Sequence, residues 1–217
     1  TTDNDNTSGA MDDGSVFKGG VVQSSYTPAA GSNYPKKMSI ASHGGFSIIE
    51  YTGTGANATV PHGLDRTPDH FMLKPLTQDH SWGGYHSAMG TGSGNDKVNR
   101  WDTTTIGDQT GAAWQNNPFA TEHVITFGNQ TGQNENNIPH IMYVWAKTPG
   151  LIGIGSYGGN GNDDGANIIV DDGAFGFKPA FVYTKRIGHN SGDWWITDSA
   201  RTTFNTMSKA IYIDQQP

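Results

Sequence analysis

The chain carries two copies of one long pattern. SIIEYTGTGANATVPHGLDRTPDHFMLK, beginning at Ser47, is answered by GIGSYGGNGNDDGANIIVDDGAFGFKPAFVYTK, beginning at Gly153. Tyr51 matches Tyr157, Gly53-Thr54-Gly55 matches Gly159-Asn160-Gly161, and Pro68, Phe71 and Lys74 match Pro179, Val182 and Lys185. Farther on, SWGGYHSA (Ser81 to Ala88) aligns without a gap on DWWITDSA (Asp193 to Ala200). Self-similarity at a long period means one supersecondary unit used twice, so the fold must be buildable from two related halves.

That unit is made of strands. FSIIEYTG, ATVPHG, DHFMLKPL, SWGGYH, HVITFG and HIMYVWAK are short runs rich in aromatic and β-branched residues, bounded by Gly, Pro, Asn and Asp. Such spacing belongs to a sandwich or barrel. Thirty glycines and only 15% charged residues fit it, whereas a helical bundle needs more Leu, Glu, Lys and Ala at helical spacing. The expectation is an all-β, antiparallel, jelly-roll-like sandwich, internally duplicated. A flexible N-terminal arm and irregular lead-in, with at most one edge strand, would cover 1–45. A first β repeat would cover 46–148 and a second 149–217. The second copy runs only to IYIDQQP, short of any counterpart of HIMYVWAK. It is therefore expected to be incomplete, its last strands cut away or supplied by a neighbouring subunit at a raw sheet edge.

Charge and composition exclude several roles. A net charge of −7 leaves too few clustered cations to neutralise phosphates, so no nucleic-acid partner is expected. No apolar run is long enough to span a bilayer, so no membrane partner is expected either. The opening TTDNDNTSGAMDDGS has neither a basic region nor an apolar core and does not read as a signal peptide. With no cysteine, disulfides, thiolate metal sites and cysteine nucleophiles are all absent.

The duplication also weighs candidate sites. DWWITDSAR could hold a nucleophile beside an orienting acid, but Asp198 matches His86 and only Trp and Ser-Ala are shared with the first copy. Trp82 and Trp194, present in both, read as packing residues. Trp195 matches Gly83 and points the other way along the strand, so it is a candidate for contact with a sugar ring. Trp101, Trp114 and Tyr85 join it, because they stand in or near Gly/Asn-rich loops where backbone groups could bond hydroxyls. For a metal, Asn160, Asn162 and Asp164 occupy positions 1, 3 and 5 of a calcium-loop spacing, with Gly165 at 6 and Asp171 at 12. The competing reading is an acidic hairpin loop. The eight histidines show no HxH or HExxH spacing. No nucleophile elbow or phosphate loop occurs, and no carboxylate pair is indicated, so no catalytic residue is assigned and enzymatic activity is not expected.

Several of these stretches resemble a known domain. TVPHGLDRTPDHFMLK resembles the "PHGL…P…K" strand pair recurrent in structural proteins of marine tailed phages. GSYGGNG, FKPAFVYTKR and GDWWITDSAR resemble the second half of the same repeated β-domain, and HIMYVWAK before Pro149-Gly150-Leu151 sits where that family joins its halves. The resemblance spans about Phe46 to Arg201. This sequence departs from it in the acidic loop NDDGANIIVDDG and in its short C-terminal end. The resemblance implies a β-sandwich module of tail fibres and related virion proteins, exposed on the particle surface, and brings no catalytic residues with it. On that basis the expected role is a tail-fibre or adhesin module that recognises host-surface polysaccharide without catalysis. Other virion proteins and further copies of the chain would be its partners, and multivalency would supply avidity. A capsid decoration or spike protein is the alternative, and a polysaccharide depolymerase the third. Calcium is the one cofactor the sequence allows.

Overall fold

The computed structural model describes residues 15–214 except 25, 29, 90–96, 99, 103–106, 109–119, 163–167, 171, 175, 188–191 and 202–208. The arm expected over the first residues lies almost wholly outside this range. Fourteen strands are present among the described residues: β1 (Val16–Lys18), β2 (Val21–Gln23), β3 (Lys37–Ile40), β4 (Phe46–Thr52), β5 (Ala58–Pro61), β6 (His70–Pro75), β7 (Gly83–His86), β8 (Lys97–Val98), β9 (Gly107–Asp108), β10 (Val124–Phe127), β11 (Pro139–Trp145), β12 (Phe181–Lys185), β13 (Trp194–Asp198) and β14 (Ile211–Tyr212). One helical turn, α1 (Thr131–Asn134), and a 3-10 turn at Ser87–Met89 accompany them. No helix among the described residues is long and apolar enough to cross a membrane.

Strict alternation organises the main sheet. β4 and β11 bury every second residue over seven positions, the period of a strand with one face on a core. They pair antiparallel along their full length, Tyr143 opposite Ile48 and Trp145 opposite Phe46. A seven-stranded sheet grows around them in the order β2-β1-β3-β4-β11-β6-β7. On its inner face Met38, Ile40, Ile49, Tyr51, Phe71, Leu73, Met142 and Val144 are buried, and Val60, Ile125 and Phe127 from the two-stranded β10-β5 sheet join the same cluster. The chain is therefore an all-β, predominantly antiparallel sandwich. Each such aliphatic or aromatic side chain contributes about 1.5–3 kcal/mol on burial.

The lead-in differs from expectation. Val16 to Ile40 supplies three strands of the main sheet, with Val16, Met38 and Ile40 in the core. Its glycines and prolines hide this from a periodicity count, because each strand is only three or four residues long. The parallel pairing of β1 with β3 is likewise not visible in local sequence.

The duplication is repeated in the hydrogen bonds. β12 and β13 pair as β6 and β7 do: Phe181 faces Asp198 as His70 faces His86. Lys74 Nζ donates to the His80 carbonyl and Lys185 Nζ to the Gly192 carbonyl. Ser87 N bonds Asp69 O as Ser199 N bonds Ala180 O, both at 2.8 Å. The Ala88 amide caps on His86 Nδ1, and the Ala200 amide on Asp198 Oδ1, both at 3.1 Å. The Trp82 amide reaches Asp102 and the Trp194 amide reaches Asp214, each 20 residues ahead.

The copies diverge upstream. Ser47 to Tyr51 lies within β4, yet its counterpart Gly153 to Tyr157 is in no strand. Ala58–Pro61 forms β5, whereas Ile168 to Val170 forms none and leaves Ile169 86% exposed. β4 and β5 are held by β11 and β10, for which the described residues of the second copy offer no counterpart. Without a partner strand among the described residues, and with Gly153, Gly155, Gly158 and Gly159 in the way, the segment forms no strand.

Candidate functional site

The outer face of the main sheet carries an aromatic row. Phe46, Trp145, His70 and His86 lie side by side across β4, β11, β6 and β7, with Phe46–Trp145 and His70–Trp145 ring centroids each 5.2 Å apart. Tyr143 stacks beside Trp145. A residue pattern that buries one face of a strand leaves large rings half-covered on the other, and these need a second layer.

The second copy supplies that layer. Tyr183 of β12 and Trp194 of β13 pack onto Trp101 edge-on, at 5.8 and 5.9 Å, and Trp194 Nε1 donates to the Arg100 carbonyl at 2.6 Å. Trp194 is 2% exposed, so its packing role read from the duplication holds. Burial pushes the Tyr183 hydroxyl pKa well above the usual tyrosine value.

Between the copies lies a cavity of about 240 Å³ lined by Trp82, Trp101, Asp102, Ile196 and Ile213. Trp82 and Trp101 stack offset, 5.8 Å apart and 26° from parallel. Alignment at the spacing of Trp82 and Trp194 makes Ile213 the counterpart of Trp101, so equivalent positions of the two copies both line it.

The acid in this cavity is the copy of a structural residue. Asp214 is fully sequestered: both its oxygens accept from the Trp194 amide at 3.1 Å, and Lys185 Nζ lies 3.5 Å away, with side-chain exposures of 4% for the lysine and 0% for the aspartate. Lys185 also stands 5.5 Å from the Trp194 ring centroid. Burial lowers the lysine's pKa and Asp214 draws it back up. In the first copy the latch is loose. The Trp82 amide reaches Asp102 only at 3.4 Å, Lys74 bonds the His80 carbonyl as Lys185 bonds that of Gly192 but adds no ion pair to Asp102 among the described residues, and Asp102 is exposed on the cavity rim. Divergence has left one carboxylate exposed beside two indoles.

A second cavity, about 230 Å³, backs onto the same wall. Ser81 and Arg100, the neighbours of Trp82 and Trp101, line it together with Asp79, His80 and the Gln130–Gln133 turn.

The candidate residues read from sequence separate clearly. Trp101 lies at the centre of the aromatic layer and on the first cavity. Its Nε1 is buried with no hydrogen-bond partner among the described residues. Trp195 is 48% exposed on the far face of β13, stacked on Tyr212 at 5.9 Å. Tyr85 is 6% exposed, packed on Phe71 in the core, and cannot meet a sugar; its strand alternation turns it inward. Trp114 lies outside the described residues, as do Asp164 and Asp171 of the calcium-loop spacing. Asn160 and Asn162 are exposed, and Asn160 Oδ1 accepts from the Asn162 amide at 3.1 Å, an ordinary Asx turn. No group of three or more His, Asp or Glu side chains among the described residues converges to hold a metal. Trp82 reads from sequence as a packing residue like Trp194, but it is half-buried and lines the cavity, and Asp102 was not singled out at all. The available signal was the equal spacing of Trp82–Asp102 and Trp194–Asp214, with Gly83-Gly84 where the second copy has Trp195-Ile196.

Fold and site together define a duplicated β-sandwich with an open aromatic pocket that residues of both copies line and one exposed acid borders. A family model described as a domain of unknown function (DUF7483) matches residues 6–216, and the chain belongs to that family. No curated protein and no solved structure matches it.

Proposed function

We propose that this protein is a virion structural module, of the tail-fibre or adhesin kind, that recognises host-surface glycans without catalysis. The observation that carries the glycan reading is the Trp82–Trp101–Asp102 cavity. Two offset indoles present apolar faces to the apolar face of a pyranose, and a carboxylate at the rim accepts from its hydroxyls. A cavity of about 240 Å³ is of single-ring rather than oligomer size. Each contact would be weak, so binding to a particle or cell relies on many copies acting together. The exposed Trp195–Tyr212 pair offers a second, flat platform on the opposite face of β13. The virion setting rests on the sequence resemblance alone.

A second reading, attachment to other virion proteins as a decoration or spike component, is favoured by the apolar residues left exposed in the second copy. Leu151, Tyr157, Ile168, Ile169, Phe181 and Ile187 are all more than 40% exposed, and side chains of this kind mark contact surfaces.

The experiment is retention of the purified protein on immobilised host-envelope polysaccharide, comparing wild type with Trp82→Ala and Trp195→Ala. Retention lost in Trp82→Ala and kept in Trp195→Ala supports the cavity. The reverse pattern moves the site to the flat platform, and no retention of a multivalent preparation leaves the attachment reading.

A further inference from the structure

The sheet of the second copy, in the order β12-β13-β14, ends at β12, and no strand among the described residues pairs with its outer side. The duplication shows what kind of neighbour belongs there. Phe181 to Lys185 are the counterparts of His70 to Lys74, and in the first copy those residues all pair antiparallel with β11.

The phase of the hydrogen bonds identifies the open groups. In the first copy Ser87 N bonds Asp69 O on the β7 side and Leu76 N bonds Pro139 O on the β11 side, each at 2.8 Å. His70 and Met72 therefore turn their amides and carbonyls to β11. In the second copy Ser199 N bonds Ala180 O at 2.8 Å, so Val182 and Thr184 serve β13. Phe181 and Tyr183 turn their backbone groups to the outer side, where no described group meets them. A row of open N–H and C=O groups on a sheet edge is a template for another strand. The usual guards against pairing are missing from β12. No proline interrupts it, and its one charged side chain, Lys185, is 4% exposed and held 3.5 Å from Asp214. Both ends of the edge reach solvent, with Phe181 56% and Ile187 41% exposed.

We propose that β12 pairs with β12 of a second molecule of this chain, antiparallel about a two-fold axis at Val182, so that two three-stranded sheets become one. Self-complementarity selects this occupant. The axis brings Phe181 of each molecule level with Tyr183 of the other, and every open amide meets an open carbonyl. Val182 meets Val182 in the close, non-hydrogen-bonded position, where β-branched pairs pack well. Lys178 and Arg186, which this register brings level, both lie outside β12. The inference is independent of the glycan reading, because neither cavity takes part.

The test combines sedimentation equilibrium of the full chain with engineered cross-linking, which is clean because the chain has no cysteine. Wild type is expected to show a monomer–dimer equilibrium. Phe181→Pro deletes an outward amide without touching the ladder to β13, and should weaken association about tenfold or more. Trp195→Ala should leave it unchanged. Across the axis the two Val182 Cα atoms would stand about 4.5 Å apart, within disulfide range. Val182→Cys should therefore oxidise to a covalent dimer. Thr184→Cys should not, since its two copies would lie about 14 Å apart along the strands. A monomer at every concentration up to the solubility limit overturns the inference. So does a dimer in which Thr184→Cys cross-links as readily as Val182→Cys. Association lost in Trp195→Ala but kept in Phe181→Pro also overturns it, and moves the contact to the exposed Trp195–Tyr212 face.

Discussion

Acidification should unfold this protein through two histidines that the fold holds neutral. His62 is fully buried, its Nε2 at 3.1 Å from the Thr121 carbonyl and its Nδ1 accepting from the Leu64 amide at 3.3 Å. A proton on Nδ1 would face that amide hydrogen. Burial, with His123 adding to it against Asp65 and the Thr121 carbonyl, lowers its pKa to about 4. His70 is also fully buried, between Trp145 and Trp101, with Nδ1 bonded to the Tyr85 carbonyl at 2.5 Å. Burial, then His86, lowers it to about 3. Both folded values lie below the ordinary 6.5, so the unfolded chain binds more protons in the window below pH 6.5. The stability is fully present above that pH and is lost as pH falls toward 4 and 3. At pH 5 each histidine has cost about 2 kcal/mol relative to pH 7.5, about 4 kcal/mol together. A domain of this kind has about 5–15 kcal/mol to lose. His86 and His140, lowered in the same direction, steepen the fall. The assay is urea unfolding followed by tryptophan emission at pH 7.5, 6 and 5 at constant ionic strength. The slope between pH 6 and 5 is expected at about 2.4 kcal/mol per pH unit from these two histidines, and His70→Phe should lower it by about 1.2 whatever its effect at neutral pH. A flat profile from pH 7.5 to 5, or an unchanged slope in His70→Phe, would refute the reasoning.

The duplicated aspartates give a paired prediction. Asp214→Asn strands the buried Lys185 and should cost about 3 kcal/mol in urea unfolding, whereas Asp102→Asn, exposed at the cavity rim, should change stability by less than about 0.5 kcal/mol and weaken retention on host polysaccharide. Gly53→Ala should cost about 2–3 kcal/mol, because its Cβ would stand 2.1 Å from the Glu135 carbonyl oxygen, a backbone atom that cannot swing aside; circular dichroism melting checks it. Trp195→Ala, half-exposed on Tyr212, should lower stability by no more than about 1 kcal/mol by the same melting assay.

The main sheet was legible where strands are long. FSIIEYT and PHIMYVW alternate over seven residues, and no other regular structure fits that period. The duplication was legible too, down to Lys74 and Lys185 reaching equivalent carbonyls. Three-residue strands such as VFK and VVQ are not visible, because so short a run has no period to count. Counting a motif as shared did not reveal that its surroundings had changed. Trp82 and Trp194 are the same residue in the same place, yet one is sealed over a buried ion pair and the other borders a cavity. What separates them is that Lys185 pairs with Asp214 as well as bonding its carbonyl, whereas Lys74 bonds the carbonyl alone among the described residues, a tertiary choice that local sequence does not encode. Tyr85 was misplaced for a simpler reason: proximity to glycines suggested a loop, while its position in GGYH puts it on the inner face of β7.

The account stands or falls on whether the cavity between the copies meets sugar. The six tryptophans give six indole N–H resonances, and selective ¹⁵N labelling with single Trp→Phe variants assigns them. Titration with fragments of host-envelope polysaccharide should shift the Trp82 and Trp101 signals together, saturably, and leave Trp195 in place. Signals of Trp82 and Trp101 that stay fixed while the protein demonstrably binds the polysaccharide would contradict it.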